Sequence, residues 1–192
     1  MSALTRRRFL ERTGFLAAAG LLAQLPDVPW VRAATSLKPD VNHQTMSGLV
    51  AFVVPGPDGY SKKQGQSTKA PGGIAAGGTK ALIDTLDLFI PSTPPLTTTV
   101  AAILNAQATQ LGAVPGTYQA PFANLAFAQK AEVFHRLEAL SGPEAGALSF
   151  LAGNLPGLVA FLVYADPKVG YKLSRYSGVA DGRREFKGYF HA

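Results

Sequence analysis

The chain has 192 residues, of which 47% are hydrophobic, and it contains no cysteine. This length is sufficient for one domain with a buried core, and the lack of cysteine excludes disulfides and thiolate-bound metals. The formal net charge is +6, but five basic and two acidic residues lie within residues 1–33, so the rest of the chain carries only +3. Such a small excess gives little basis for nucleic-acid binding, and we expect no nucleic-acid partner.

The N-terminus carries the most specific motif of the chain. A hydroxyl residue, two arginines, any residue and then Phe-Leu form the twin-arginine export pattern. The residues that match it are Thr5, Arg6, Arg7, Phe9 and Leu10. A weakly apolar run follows at residues 14–25, and Val31 and Ala33 are residue types that a signal peptidase accepts before its cut. The sequence therefore predicts a twin-arginine signal peptide over residues 1–33.

Two other interpretations of this segment are an uncleaved membrane anchor and an ordinary secretory signal. The apolar run is shorter than the ~20 residues of a membrane-spanning helix. It is rich in Ala and Gly rather than Leu, and Arg32 lies next to the predicted cut, which favours the twin-arginine route. This route carries folded proteins, so we expect the twin-arginine translocase as a partner and membrane contact only through the signal peptide. The expected location is the periplasm, the cell surface or the medium.

Residues 34–78 are predicted to be an extended and loop region. Met46–Val54 is a β-branched run that ends at Pro55–Gly59, a pattern typical of a strand or extended segment that enters a turn. Tyr60–Gly78 contains five glycines after its start, a density that predicts a long loop. We expect this loop to contact a partner.

Residues 79–192 are predicted to form a helical domain. Apolar spacing and Pro or Gly stops indicate helices over Thr79–Ile90 and Thr97–Leu111, and a third that Asn124 caps. A fourth helical region, Glu144–Tyr164, is predicted to break near Gly153–Gly157, which favours a buried helical hairpin over a membrane span. The predicted class is therefore mainly α: a single small domain of about four to five helices, with a long glycine-rich loop and an aromatic tail.

The C-terminal tail places aromatic and basic residues among glycines. Tyr, Phe and Arg are enriched at protein interfaces because they bury a large area and keep a polar tip. The predicted partner interface consists of Tyr164, Tyr171, Tyr176, Arg183, Phe186, Tyr189 and Phe190. Alternatively, these aromatic side chains attach the tail to the helical core.

Candidate catalytic residues are few. His43, His135 and His191 are far apart in the sequence, without metal-type spacing, and common catalytic motifs are absent from the sequence. We therefore predict no catalytic, cofactor-binding or metal-binding residue. The tail carboxylates Asp166, Asp181 and Glu185 have basic neighbours and are more simply interpreted as salt-bridge partners.

The C-terminal region resembles the gluconate 2-dehydrogenase subunit 3 type of proteins. The resemblance rests on Tyr164-Ala-Asp-Pro167, Gly170-Tyr171 and Gly188-Tyr189-Phe190, together with the export signal on a small cysteine-free helical chain. It implies a non-catalytic small subunit of an exported flavin-dependent oxidoreductase of the GMC type. In such a complex the large subunit holds FAD and crosses the membrane with the small subunit, which binds no cofactor directly.

Two other function classes remain open at this point. One is an independent secreted binding protein whose aromatic tail holds a lipid or sterol. The other is an enzyme of unfamiliar type that uses Asp166, Asp181 or Glu185.

Overall fold

A computed structural model of the chain describes residues 33–89, 92–141 and 145–165, together with residues 170 and 173. These residues contain eight helices and no strand, in addition to a helical turn at residues 33–35. The helices are α1 (Pro39–Val53), α2 (Gly59–Lys63), α3 (Gly72–Ala75), α4 (Gly78–Phe89), α5 (Leu96–Gln110), α6 (Pro121–Asn124), α7 (Phe127–Glu138) and α8 (Ala145–Tyr164). The predicted mainly α class is confirmed, whereas the predicted number of four to five helices is too low.

Helix α1 lies at the centre of the fold. It packs against α2, α3, α4, α5, α6 and α8, and seven consecutive residues, Thr45–Ala51, are buried. The prediction of a strand or extended segment at Met46–Val54 is therefore wrong. A helix that is buried on every side has no polar face, so its sequence lacks the 3.6-residue period that identifies a surface helix.

The buried polar residues of α1 bond to the surrounding helices. The Asn105 amide of α5 donates to Thr45 Oγ1 at 2.8 Å, and Asn105 Oδ1 accepts the Phe122 amide of α6 at 3.0 Å. Ser47 Oγ and Thr79 Oγ1 form a hydrogen bond of 3.2 Å that joins α1 to α4. These bonds satisfy groups that would otherwise be costly to bury.

The glycine-rich segment 60–78 is not one long loop as predicted, because it contains most of α2 and all of α3. The loop is limited to residues 64–71, of which residues 65–71 are exposed. Gly72 has φ +73°, and a Cβ at this position would lie 2.5 Å from Gly56 Cα. A Cβ on Gly73 would lie 2.6 Å from Val50 Cγ1 on α1. These glycines therefore allow close backbone contact between α3 and the end of α1, and they do not mark a free loop.

The three helices predicted after residue 79 exist, with adjusted ends. The apolar spacing that predicts α4 includes Leu82 and Leu86, and both side chains are fully buried. Asn124 does not cap the third helix but is the last residue of α6, and α7 begins at Phe127. Asp87 of α4 accepts hydrogen bonds from Thr97 N and Thr97 Oγ1 at the start of α5, at 3.0 and 2.8 Å.

Helix α8 runs without interruption from Ala145 to Tyr164, although Pro156 lies inside it. The predicted break near Gly153–Gly157, and with it the helical hairpin, is wrong. Nine residues of α8 are buried, and the helix packs against α7, α4 and α1. An internal proline costs ~3 kcal/mol or more, but burial of each Leu or Val gains ~1.5–3 kcal/mol, so the helix continues.

Within the described part of the chain, α8 is also the one helix whose length and composition would suit a membrane span. The face of α8 that packs against α7, α4 and α1 is buried, as in the core helix of a globular protein.

Candidate functional site

The most unusual polar group of the described structure is Lys130 on α7, whose side chain is fully buried. Lys130, Val133, Phe134 and Leu137 form the buried face of α7 and follow the i, i+3, i+4, i+7 spacing. The helical spacing therefore places the Lys130 side chain on a face of α7 whose other three residues are apolar.

Two oxygen atoms accept hydrogen bonds from the Lys130 amine. Gly48 O of α1 lies 3.1 Å from Lys130 Nζ, and Gln64 Oε1 lies 2.9 Å from it. Gln64 is itself buried and donates from Nε2 to Ala51 O at 2.8 Å. The amine also stands 5.4 Å from the centre of the Phe122 ring. Lys130 and Gln64 thus connect α7, the end of α2 and the middle of α1.

Burial lowers the pKa of Lys130 from 10.5 to about 7, because the charged form loses its hydration. The Asp58 carboxylate acts in the opposite direction and favours the charged form. Asp58 caps α2 by accepting from Ser61 N and Ser61 Oγ at 2.9 and 2.8 Å. A neutral amine is a base and a nucleophile, but a fully buried one cannot meet a solute in this conformation. The geometry therefore assigns Lys130 a structural role.

Two tyrosines stack beside this cluster. The rings of Tyr60 and Tyr118 are 4.1 Å apart and nearly parallel. Burial raises the pKa of both hydroxyls; at Tyr60 the hydrogen bond with Ser47 opposes this effect, and Asp58 adds to it. The hydroxyls therefore stay protonated near neutral pH and act as hydrogen-bonding groups rather than as bases.

A wide cleft of about 650 Å³ lies between α7 and α8. Phe52 and Phe134 form its aromatic wall, with stacked rings whose centres are 5.6 Å apart. Phe127 lies next to this pair, with its ring tilted against Phe52 at 4.9 Å between centres. Glu132, His135, Glu138, Gly153 and Pro156 are among the other lining residues. The cleft combines an aromatic surface with acidic side chains, which is a composition suited to contact with another molecule rather than to a closed reaction site.

A second, more enclosed cavity of about 370 Å³ lies between α5, α7 and α8, and we call it the apolar cavity. Its lining residues are Ala33, Ile103, Ala106, Gln107, Gln110, Leu137, Leu140 and Leu148. The two glutamines are the polar members of this set. The cavity is therefore suited to an apolar group that carries one or two hydrogen-bonding atoms.

The predicted export and interface residues lie mostly outside the described residues. This applies to Thr5, Arg6, Arg7, Phe9, Leu10 and Val31, and to Tyr171, Tyr176, Arg183, Phe186, Tyr189 and Phe190. Of the predicted cleavage site, Ala33 is described; it lies in a helical turn and lines the apolar cavity. Of the predicted interface, Tyr164 is described; its side chain is 44% exposed and lines a small surface pocket with Phe161.

Two of the candidate catalytic residues are described by the structure. His43 on α1 and His135 on α7 are exposed, and His191, Asp166, Asp181 and Glu185 fall outside the described residues. Among residues 33–89, 92–141 and 145–165, no group of three or more His, Asp or Glu side chains could hold a metal ion.

Lys130 was not predicted from the sequence. The sequence predicts this helix from the spacing of apolar and other residues without Lys130, namely Phe127, Ala131, Phe134 and Glu138, which alternate with Leu137 and Leu140. Of these, Phe134 and Leu137 are buried and the others are exposed. The spacing of Lys130 from Val133, Phe134 and Leu137 is the signal that could have identified it. A lysine on an apolar row is, however, usually placed with its amine in solvent, so the spacing alone does not predict full burial.

Comparisons with known proteins add no identification. No protein-family model matches the chain, and neither the curated proteins nor the solved structures include a significant match.

Proposed function

We propose that the protein is a non-catalytic accessory subunit that binds a folded flavin-dependent oxidoreductase and carries it through the twin-arginine route. The observation that carries the proposal is the motif Thr5-Arg6-Arg7-Arg8-Phe9-Leu10, because the twin-arginine route transports folded proteins. The resemblance of the C-terminal region supplies the class of partner, a GMC-type large subunit that holds FAD.

The chemistry of the described residues is consistent with this proposal. The conspicuous buried polar groups, Lys130, Gln64 and Asn105, bond to backbone and side chains of neighbouring helices. They therefore hold the helices in place and present no reactive atom to solvent. This packing role supports a binding function for the chain.

Two exposed aromatic surfaces support a contact with a partner. Tyr164 and Phe161 line a surface pocket at the end of α8, next to the predicted tail interface. Phe127 is 38% exposed beside the cleft between α7 and α8. Half-exposed aromatic side chains are typical contact residues because they add buried area with little loss of conformational entropy.

The test is an export assay in the native host with a tagged full-length chain. We expect the chain to co-purify with a protein that lacks an export signal and shows flavin absorbance, and we expect both proteins outside the cytoplasm. Changing Arg6→Lys and Arg7→Lys together should retain both in the cytoplasm. Changing Lys62→Arg and Lys63→Arg together is the matched control, because it alters two exposed basic residues of α2 and should leave export intact.

The tail is tested separately. Deletion of residues 171–192 should leave the chain itself exported but abolish export of the flavoprotein. Unchanged flavoprotein export by this deletion would refute the partner assignment, and normal export of the double arginine variant would refute the signal assignment.

A second candidate function is a secreted protein that binds an apolar ligand, and the apolar cavity favours it. The predicted tail would then hold a lipid or sterol beside the core. A monomeric, colourless exported chain that yields a stoichiometric lipid on extraction would support this candidate over the accessory subunit.

A further inference from the structure

The apolar cavity lies where the described chain begins. Ala33 lines it, and the residues immediately before Ala33 include Trp30 and Val31. We propose that the apolar cavity is the docking site for this chain's own segment 30–33, with Trp30 as the side chain that fills it. The predicted signal peptide is then attached to the body by a side-chain contact as well as by the chain.

The chain is fixed at the mouth of the cavity. Ala34 is 2% exposed, and residues 33–35 are helical. Ser36 Oγ donates to Ala33 O at 3.0 Å, and Leu37 N donates to Ala34 O at 3.2 Å. The segment that precedes Ala33 is therefore joined to the rest of the chain at the cavity wall.

Trp30 can reach the cavity and fits its chemistry. The three residues from Trp30 to Ala33 span at most about 10 Å of extended chain. Ile103, Leu137 and Leu148 supply apolar walls for the ring, and the side-chain oxygens of Gln107 and Gln110 are acceptors of the kind that a buried indole N–H requires. Trp30 is the one tryptophan of the sequence.

Attachment favours this occupant over a free apolar ligand. A group tethered three residues from its site has an effective concentration in the millimolar range. A dissolved apolar molecule rarely reaches such a concentration, so we assign the cavity to the chain's own segment while residues 1–33 are present.

Docking would also control signal removal. The predicted scissile bond joins Ala33 to Ala34, within the helical turn that the body holds. A protease cleaves such a bond through a locally opened state, so cleavage should be slower than in the released segment. Removal of residues 1–33 would then vacate the cavity.

Fluorescence of Trp30 tests the proposal directly. The purified full-length monomer in buffer, without lipid or detergent, should show blue-shifted emission and severalfold weaker acrylamide quenching than the urea-unfolded chain. Ala106→Glu places a charge at the exposed edge of the cavity and should restore red-shifted emission and strong quenching. Ala131→Glu, an exposed alanine in the middle of another helix, is the control and should change neither.

Two results would overturn the proposal. One is strong quenching of Trp30 in the folded wild-type monomer, and the other is a shielded Trp30 that does not respond to Ala106→Glu while circular dichroism shows a folded variant. Because neither export nor a partner enters this experiment, its failure would leave the proposed accessory function standing.

Cross-linking gives an independent readout that does not depend on a charge in the cavity. The sequence has no native cysteine, so an introduced pair contains the only two thiols. Val31→Cys with Gln110→Cys should form a disulfide readily, whereas Val31→Cys with Lys80→Cys, an exposed position on α4, should not. Equal yields for the two pairs would count against docking.

Discussion

Replacement of Lys130 by methionine should remove a specific pH dependence of stability. The Lys130 pKa is 10.5 in the unfolded chain and about 7 in the fold, so between these values the unfolded state binds more protons. Stability of the wild type therefore rises with pH across this window and is lowest below about pH 7. Methionine has a similar length and no titrating group, so Lys130→Met should lack this rise.

The size of the effect follows from the two pKa values. One pH unit corresponds to about 1.4 kcal/mol per proton, so the full desolvation penalty on the charged amine is about 5 kcal/mol. Between about pH 7 and about pH 9.5, the wild type should gain about 3 kcal/mol in the free energy of unfolding relative to Lys130→Met. Methionine also leaves Gln64 Oε1 without its Lys130 donor, which costs ~1–3 kcal/mol and is independent of pH, whereas Gly48 O, inside α1, keeps its helical hydrogen bond.

The titration of two nearby tyrosines, Tyr60 and Tyr118, sets the upper pH limit of the experiment. The pKa values of Tyr60 and Tyr118 are raised in the fold, so as the pH rises both hydroxyls lose their protons in the unfolded chain before they do so in the folded chain. Stability from the tyrosines is therefore present below about pH 10 and is lost above it. Asp58 also acts on Lys130, and Asp58→Asn should move the Lys130 transition to lower pH because it removes a charge that favours the ammonium.

The assay is urea unfolding followed by circular dichroism at several pH values below about pH 9.5, where the tyrosines stay protonated. Lys80→Met is the control, because the Lys80 side chain is 81% exposed and pairs with Asp84 on the surface. Its stability curve should run parallel to that of the wild type. Parallel curves for the wild type and Lys130→Met would refute a depressed pKa at Lys130.

The remaining predictions concern packing. Gly72 and Gly77 both have φ +73°, but a Cβ on Gly77 meets nothing within 4 Å, whereas one on Gly72 lies 2.5 Å from Gly56 Cα. In urea unfolding, Gly77→Ala should cost about 1 kcal/mol and Gly72→Ala about 3 kcal/mol, so equal losses would contradict the close contact. Asn105→Leu leaves the Phe122 amide unpaired and should cost about 2–3 kcal/mol, with faster hydrogen exchange at that amide; unchanged exchange would exclude the bond.

The sequence by itself determined the helical class and the approximate positions of α4, α5 and α7. Helices α4 and α7 have one buried and one exposed side, so their apolar spacing is visible. Helix α5 is buried on every side over residues 99–105, but Pro95 before it and Gly112 after it delimit it in the sequence. The export signal over residues 1–33 also follows from the order of residues alone, and it stays a prediction because those residues lie mostly outside the described part of the chain.

Only the tertiary structure shows that the centre of the protein is a helix, α1. Helix α1 lies among six other helices, so burial on every side removes the period by which a helix is recognised. The burial of α8 outweighs the cost of Pro156 inside the helix. Gly72 and Gly73 are glycines because they contact neighbouring residues closely, although in the sequence they predict a loop. The Lys130 site depends on Gly48 and Gln64, which are 82 and 66 residues away along the chain, and no local pattern can predict such a distant pair of acceptors.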